Sequence, residues 1–198
     1  MKPKTKDLIR KIIYGILFLA MIIAFVYLSE KYADNSKDRV LTINDYYSQI
    51  DNPKYEVIRG TKLISLLKSG KNIIYIGSNT SEFASKYIEE LDTVIRETNV
   101  DKIYYYDINN DKAQKNSNYY EICELLSGYL ITTDGSQNNL LAPSLYIIDE
   151  GKVKYYNIET AAMKNTDTPE EYWTAEKESA FISEVTTAIN KYYLNNKE

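Results

Sequence analysis

No histidine occurs anywhere in this 198-residue chain, and cysteine occurs once. The first absence excludes Ser-His-Asp and Cys-His nucleophile sites, zinc–histidine sites and any imidazole proton shuttle. The second excludes an intrachain disulfide, a Cys-x-x-Cys redox pair and a thiolate metal cluster. Glycine (7) and proline (4) are scarce, so a collagen-like or mostly disordered chain is ruled out as well. What remains is a globular composition, 44% hydrophobic and 26% charged, long enough for about one domain and a small appendage.

One uncharged apolar run stands near the N-terminus, from Ile12 to Leu28. Its residues, at about 1.5 Å each, reach roughly 25 Å, near the lower limit for a membrane span. Leu8, Ile9 and Ser29 extend it and Lys11 can snorkel, so residues 12–29 read as a transmembrane anchor. Lys2, Lys4, Lys6, Arg10 and Lys11 precede it against Asp7 alone, whereas the charges after it nearly cancel. The positive-inside rule then makes 1–11 a cytoplasmic tail and puts residues 30–198 outside the membrane. A cleaved signal peptide is the competing reading, but its best site, after Ala33, has Lys31 where a small residue is wanted. Removing residues 1–29 takes away five basic groups and one acidic, leaving 19 basic against 27 acidic, a net charge of −8. Such a surface repels nucleic acid, so none is expected as a partner.

Residues 30–53 read as a polar stalk with a short amphipathic piece around Ile43–Ile50, ended by Pro53. From Tyr55 onward strand-length apolar runs alternate with helical patterns, the mark of an α/β domain over 54–198. Tyr55–Ile58, Asn72–Gly77, Lys102–Ile108, Ser144–Asp149 and Lys152–Ile158 are the predicted strands, with Glu150-Gly151 as a two-residue turn. Predicted helices are Thr61–Lys68, with Thr61 as its cap and Gly70 as its terminator, Ser81–Glu97 and Tyr119–Leu130. A C-terminal helix opens on the cap Thr168-Pro169-Glu170-Glu171 and breaks near Thr174. Right-handed crossovers make the first three strands parallel and the last hairpin antiparallel.

The order β-α-β-α-β-α-β-β-α, with Pro143 directly before the penultimate strand, resembles the thioredoxin fold. Over roughly residues 55–195 the segments IIYIGSNTSEFASKYIEEL, KIYYYDI and LLAPSLYIID resemble the membrane-anchored thioredoxin-like proteins of Gram-positive bacteria, which include bacteriocin transport accessory proteins. The resemblance implies that Ser81-Glu82-Phe83-Ala84 replaces Cys-x-x-Cys, with Ser81 at the attacking and Ala84 at the resolving position. Tyr75 falls where some thioredoxins bury a proton-accepting carboxylate. A serine without an adjacent base cannot perform disulfide exchange, and an alanine cannot resolve a mixed disulfide. The resemblance also implies a cis Ala142-Pro143 bond shaping a groove for an extended chain, lined by Thr80, Ser81, Glu82, Phe83, Ala142 and Pro143.

Simpler roles compete at several positions. Cys123, on a stripe with Ile122, Leu126 and Leu130, reads as a buried small hydrophobe rather than a redox thiol. Ser81 reads as a helix N-cap rather than a nucleophile. The 20 tyrosines, beside 4 phenylalanines, read mainly as core residues in place of Phe. Asp107–Asp111 and Asp134–Asn139 lack a calcium-loop ladder and read as solvated loops. No spacing singles out a carboxylate pair for glycoside hydrolysis.

These readings converge on a non-enzymatic, single-pass cell-membrane protein without metal or cofactor, and the resemblance implies a Gram-positive bacterium. Its outward-facing thioredoxin-like domain would bind an extended peptide or a membrane-protein partner, and the resemblance implies an accessory role in peptide export or envelope assembly. Two rivals stay open: an oxidoreductase-related enzyme using Cys123 or partner cysteines, and a structural subunit of a membrane complex.

Overall fold

The computed structural model describes residues 14, 15, 17, 18, 20–24, 40–130, 139–159 and 168–194. The chain divides into two units, Met1–Leu41 and Thr42–Glu198. In the first, the described residues between 14 and 24 are helical, with Leu17, Phe18, Met21 and Ile23 all mostly exposed. Among the described residues no helix is long and apolar enough to cross a membrane. The tail 1–11 and residues 12, 13, 16, 19 and 25–29 of the expected anchor lie outside the described residues.

The second unit begins earlier than the expected boundary at residue 54. Residues 30–39 of the expected stalk lie outside the described residues, but 42–53 belong to the folded unit. Thr42 opens a single 3-10 turn, Ile43–Asp45, in which its backbone N–H donates to Asp45 Oδ2 at 2.8 Å. Ile43, Tyr47 and Ile50 recur at four- and three-residue spacing and all three are buried in the core. That spacing gives this short amphipathic piece one apolar side, and the sheet covers it.

Five strands form one mixed sheet: β1 (Tyr55–Val57), β2 (Lys71–Gly77), β3 (Ile103–Asp107), β4 (Ser144–Asp149) and β5 (Lys152–Asn157). Their spatial order is β1-β3-β2-β4-β5. β3 pairs in parallel with both β1 and β2, whereas β4 runs antiparallel to β2 and β5 antiparallel to β4. The expected directions are therefore observed. Glu150 (φ 49°) and Gly151 (φ 72°) both take left-handed backbone, as a two-residue hairpin turn requires.

Helices cover both faces, which is why β2 reads as an unbroken apolar run. One face carries α2 (Glu82–Glu97) and α6 (Ala175–Ile189), packed on Ile73, Tyr75, Tyr105, Leu145 and Ile147. The other carries α1 (Gly60–Lys68) and α4 (Ser117–Leu125), packed on Ile74, Ile76, Tyr106, Tyr146 and Ile148. Alternate residues of β2 thus feed two separate cores.

Four local expectations are corrected. α1 starts at Gly60 behind Arg59, without a side-chain cap from Thr61. A Cβ at Gly60 would lie 2.5 Å from Asp111 Oδ2, so only glycine admits that carboxylate at the helix start. Asp107–Asp111 is not a loop: Asp107 ends β3, and Asn109–Gln114 forms the short helix α3. The expected helix to Leu130 stops at Leu125 and tightens into a 3-10 turn, Ser127–Tyr129, where Ser and Gly favour the helix poorly. Cys123 is half-buried against the second core rather than fully buried.

Candidate functional site

The end of β2 and the start of β4 define the site. Ile76 pairs with Ser144, so Gly77 and the turn after it lie at the same end of the sheet as Pro143. The Ala142-Pro143 peptide is cis. Pro143 is buried, Ala142 half-buried, Thr80 and Glu82 exposed, and Ser81 and Phe83 half-buried.

Tyrosines shape the strand end. A Cβ at Gly77 would lie 2.7 Å from Tyr47 Oη, 2.8 Å from Tyr105 Cε2 and 3.0 Å from Tyr75 Cε1. Glycine is therefore required for β2 to enter its turn beneath these rings. The turn itself is held by neutral groups and one carboxylate. Ser78 Oγ donates to Asn109 Oδ1 at 2.7 Å, and the Asn79 backbone N–H donates to Asp107 Oδ2 at 3.1 Å. The Ser78 and Thr80 hydroxyls share a hydrogen bond of 3.1 Å.

Ser81 caps α2. Its Oγ accepts from the Ala84 backbone N–H at 3.3 Å, so the first and last residues of SEFA are the N-cap and third position of one helix. Ala84 is buried, and its carbonyl accepts from Tyr75 Oη at 3.1 Å. Tyr75 thus ties the middle of β2 to the first turn of α2. Burial, and then the neighbouring Tyr47 phenol, push its pKa well above that of an ordinary tyrosine. It stays a neutral donor and cannot receive a proton as a buried carboxylate would. Among the described residues at this end of α2 there is no thiol, and Ser81 Oγ is engaged by the Ala84 N–H rather than by a base.

Phe83 points the site toward an element whose role had no signal in the sequence. Its ring meets Tyr172 edge to face at 6.4 Å, on the short helix α5 (Pro169–Tyr172). The Thr168 cap of α5 was legible, whereas its docking on α2 was not. Between α2 and α5 opens a groove of about 520 Å³ lined by Glu82, Ser85, Lys86, Glu89, Pro169 and Glu170. Of the six expected groove residues this cavity takes in Glu82. Lys86 is engaged by Glu90 at 2.9 Å, Glu178 at 3.0 Å and Glu89 at 3.9 Å, so the carboxylates of Glu82, Glu89 and Glu170 outweigh it in the groove.

Tyr172 is itself positioned by Glu159. Its hydroxyl donates to the Glu159 carboxylate and, at 3.2 Å, to the Glu159 carbonyl. Lys177 Nζ pairs with the same carboxylate at 3.1 Å, and Asn157 Nδ2 donates to it at 3.0 Å. Burial works to raise the Glu159 pKa, but the hydrogen bonds from Tyr172, Asn157 and Lys177 outweigh it and hold the carboxyl below its usual range. A depressed folded-state pKa contributes stability above the unfolded value and loses it as pH falls through the folded one. Wild-type protein is therefore expected to exceed Glu159→Gln in stability at neutral pH. Denaturant midpoints measured down a pH series should converge as the medium becomes acidic, and a constant gap would exclude this role.

Among the described residues no three acidic or thiol side chains are placed to hold a metal ion. No protein-family model matches this sequence, and no curated protein does either.

Proposed function

We propose that this chain is a redox-inactive, thioredoxin-like protein anchored in the cell membrane of a Gram-positive bacterium by residues 12–29. Its domain binds an extended peptide or a membrane-protein partner at the end of the sheet that carries both the start of α2 and Ala142-Pro143. The observation that carries the reading is the hydrogen bond from the Ala84 N–H to Ser81 Oγ at 3.3 Å. It makes Ser81 the N-cap of α2, one three-residue turn after β2, and supports reading SEFA as a dithiol position whose present groups have no redox chemistry. The sheet order and the pairing of Ile76 with Ser144 support the same reading. An accessory role in peptide export or envelope assembly follows from the resemblance to bacteriocin transport accessory proteins.

Site-specific photocrosslinking of the full chain in native membranes tests the proposal. A photoreactive residue replacing the exposed Glu82 should capture one discrete polypeptide partner. The same residue replacing Glu97, exposed at the far end of α2, should not. Equal capture at both positions, or none at Glu82, would reject the cleft as the binding surface.

A further inference from the structure

We infer that a second site, apart from the α2 cleft, binds a small zwitterion of amino-acid size, its ammonium on Asp107 and Asp111 and its carboxylate on Arg59. A cavity of about 560 Å³ lies at the carboxyl ends of β1 and β3, where open α/β sheets place ligands. Tyr46, Arg59, Tyr106, Asp107, Asp111 and Asn118 are in its wall.

Both carboxylates are fixed by neutral donors. Asp107 accepts from Tyr105 Oη at 3.0 Å and from the Asn109 backbone N–H at 2.9 Å. Asp111 accepts from Tyr106 Oη at 2.7 Å and Asn116 Nδ2 at 2.8 Å. Neither forms a salt bridge among the described residues, and Arg59 forms none either. Charges of both signs therefore line one cavity, the carboxylates held in place and none of the three paired in a salt bridge among the described residues. The missing Cβ of Gly60 is what lets Asp111 reach this wall. Preorganised carboxylates and a guanidinium lining one cavity suit a ligand carrying ammonium at one end and carboxylate at the other. The Tyr46 ring and Ile58 offer apolar surface to its side chain.

L-leucine is the probe, titrated into isotope-labelled full-length protein in detergent and followed by amide chemical shifts. Saturable shifts are expected at Arg59, Gly60, Thr61 and Asp107 through Asp111. Leucinamide, which lacks the carboxylate, and N-acetylleucine, which lacks the ammonium, should bind at least tenfold more weakly. Arg59→Gln and Asp111→Asn should each weaken L-leucine binding at least tenfold. Arg59 is exposed, so its variant remains decisive if Asp111→Asn loses its fold. No saturable shift, unchanged affinity in Arg59→Gln, or leucinamide matching L-leucine would each overturn the inference.

Discussion

Tyr87→Ala is expected to destabilise the domain by about 3–5 kcal/mol, the range found when a buried aromatic is cut to a methyl group. Tyr87 is fully buried on α2 and stacks on Tyr75 with ring centroids 5.5 Å apart and planes 5° from parallel. Phe181 meets it edge to face at 4.9 Å, and Trp173 at 6.2 Å. Its hydroxyl donates to Asn157 Oδ1 at 3.0 Å, which binds α2 to the end of β5. Removing the ring empties the junction of α2, α6 and the sheet, and neighbours fixed by their own contacts cannot refill it. Since a small domain holds only about 5–15 kcal/mol in all, the variant should be largely unfolded at modest denaturant. Tyr87→Phe keeps the ring and leaves the buried Asn157 oxygen without its donor, at a cost of about 1–3 kcal/mol. Urea midpoints by circular dichroism distinguish the two. Alanine and phenylalanine variants of equal stability would show that the hydrogen bond, not the packing, carries this position.

The same junction explains how far the sequence could be read. Runs such as IIYI in β2 and the Glu150-Gly151 turn carry their structure locally, because strand burial and positive φ depend on adjacent residues. Ser81 as an N-cap was legible for the same reason. The core role of the tyrosines holds for Tyr47, Tyr75, Tyr87, Tyr105 and Tyr146, all fully buried, while Tyr120 and Tyr156 are about half exposed. Contacts made across long sequence separations were not legible. Nothing around Tyr172 announces that its ring lies on Phe83, nor that Glu159 holds its hydroxyl. Residues 42–53 looked like stalk because three apolar residues in a polar stretch give a weak signal until the sheet that buries them is known. Gly60 looked unremarkable beside a capping threonine, yet its lack of a side chain decides where Asp111 goes.

Ser81→Cys combined with Ala84→Cys is expected to create a closable dithiol. The N-cap and third positions of a helix bring two Cα atoms within the roughly 4.4–6.8 Å that a disulfide spans. Ser81 Oγ already approaches the Ala84 N–H, so the first sulfur would face the helix N-terminus, where a thiolate is stabilised. Glu82, exposed in the first turn, opposes that stabilisation, and Glu82→Gln in the same background should make the first cysteine more reactive. The wild-type chain carries one thiol, Cys123, and the double variant carries three. Counting reactive thiols in denaturant after mild oxidation of the monomer is the decisive measurement. One remaining thiol per chain would support SEFA as the former place of a dithiol at the head of α2. Three remaining thiols, or bridges formed only between chains, would contradict it.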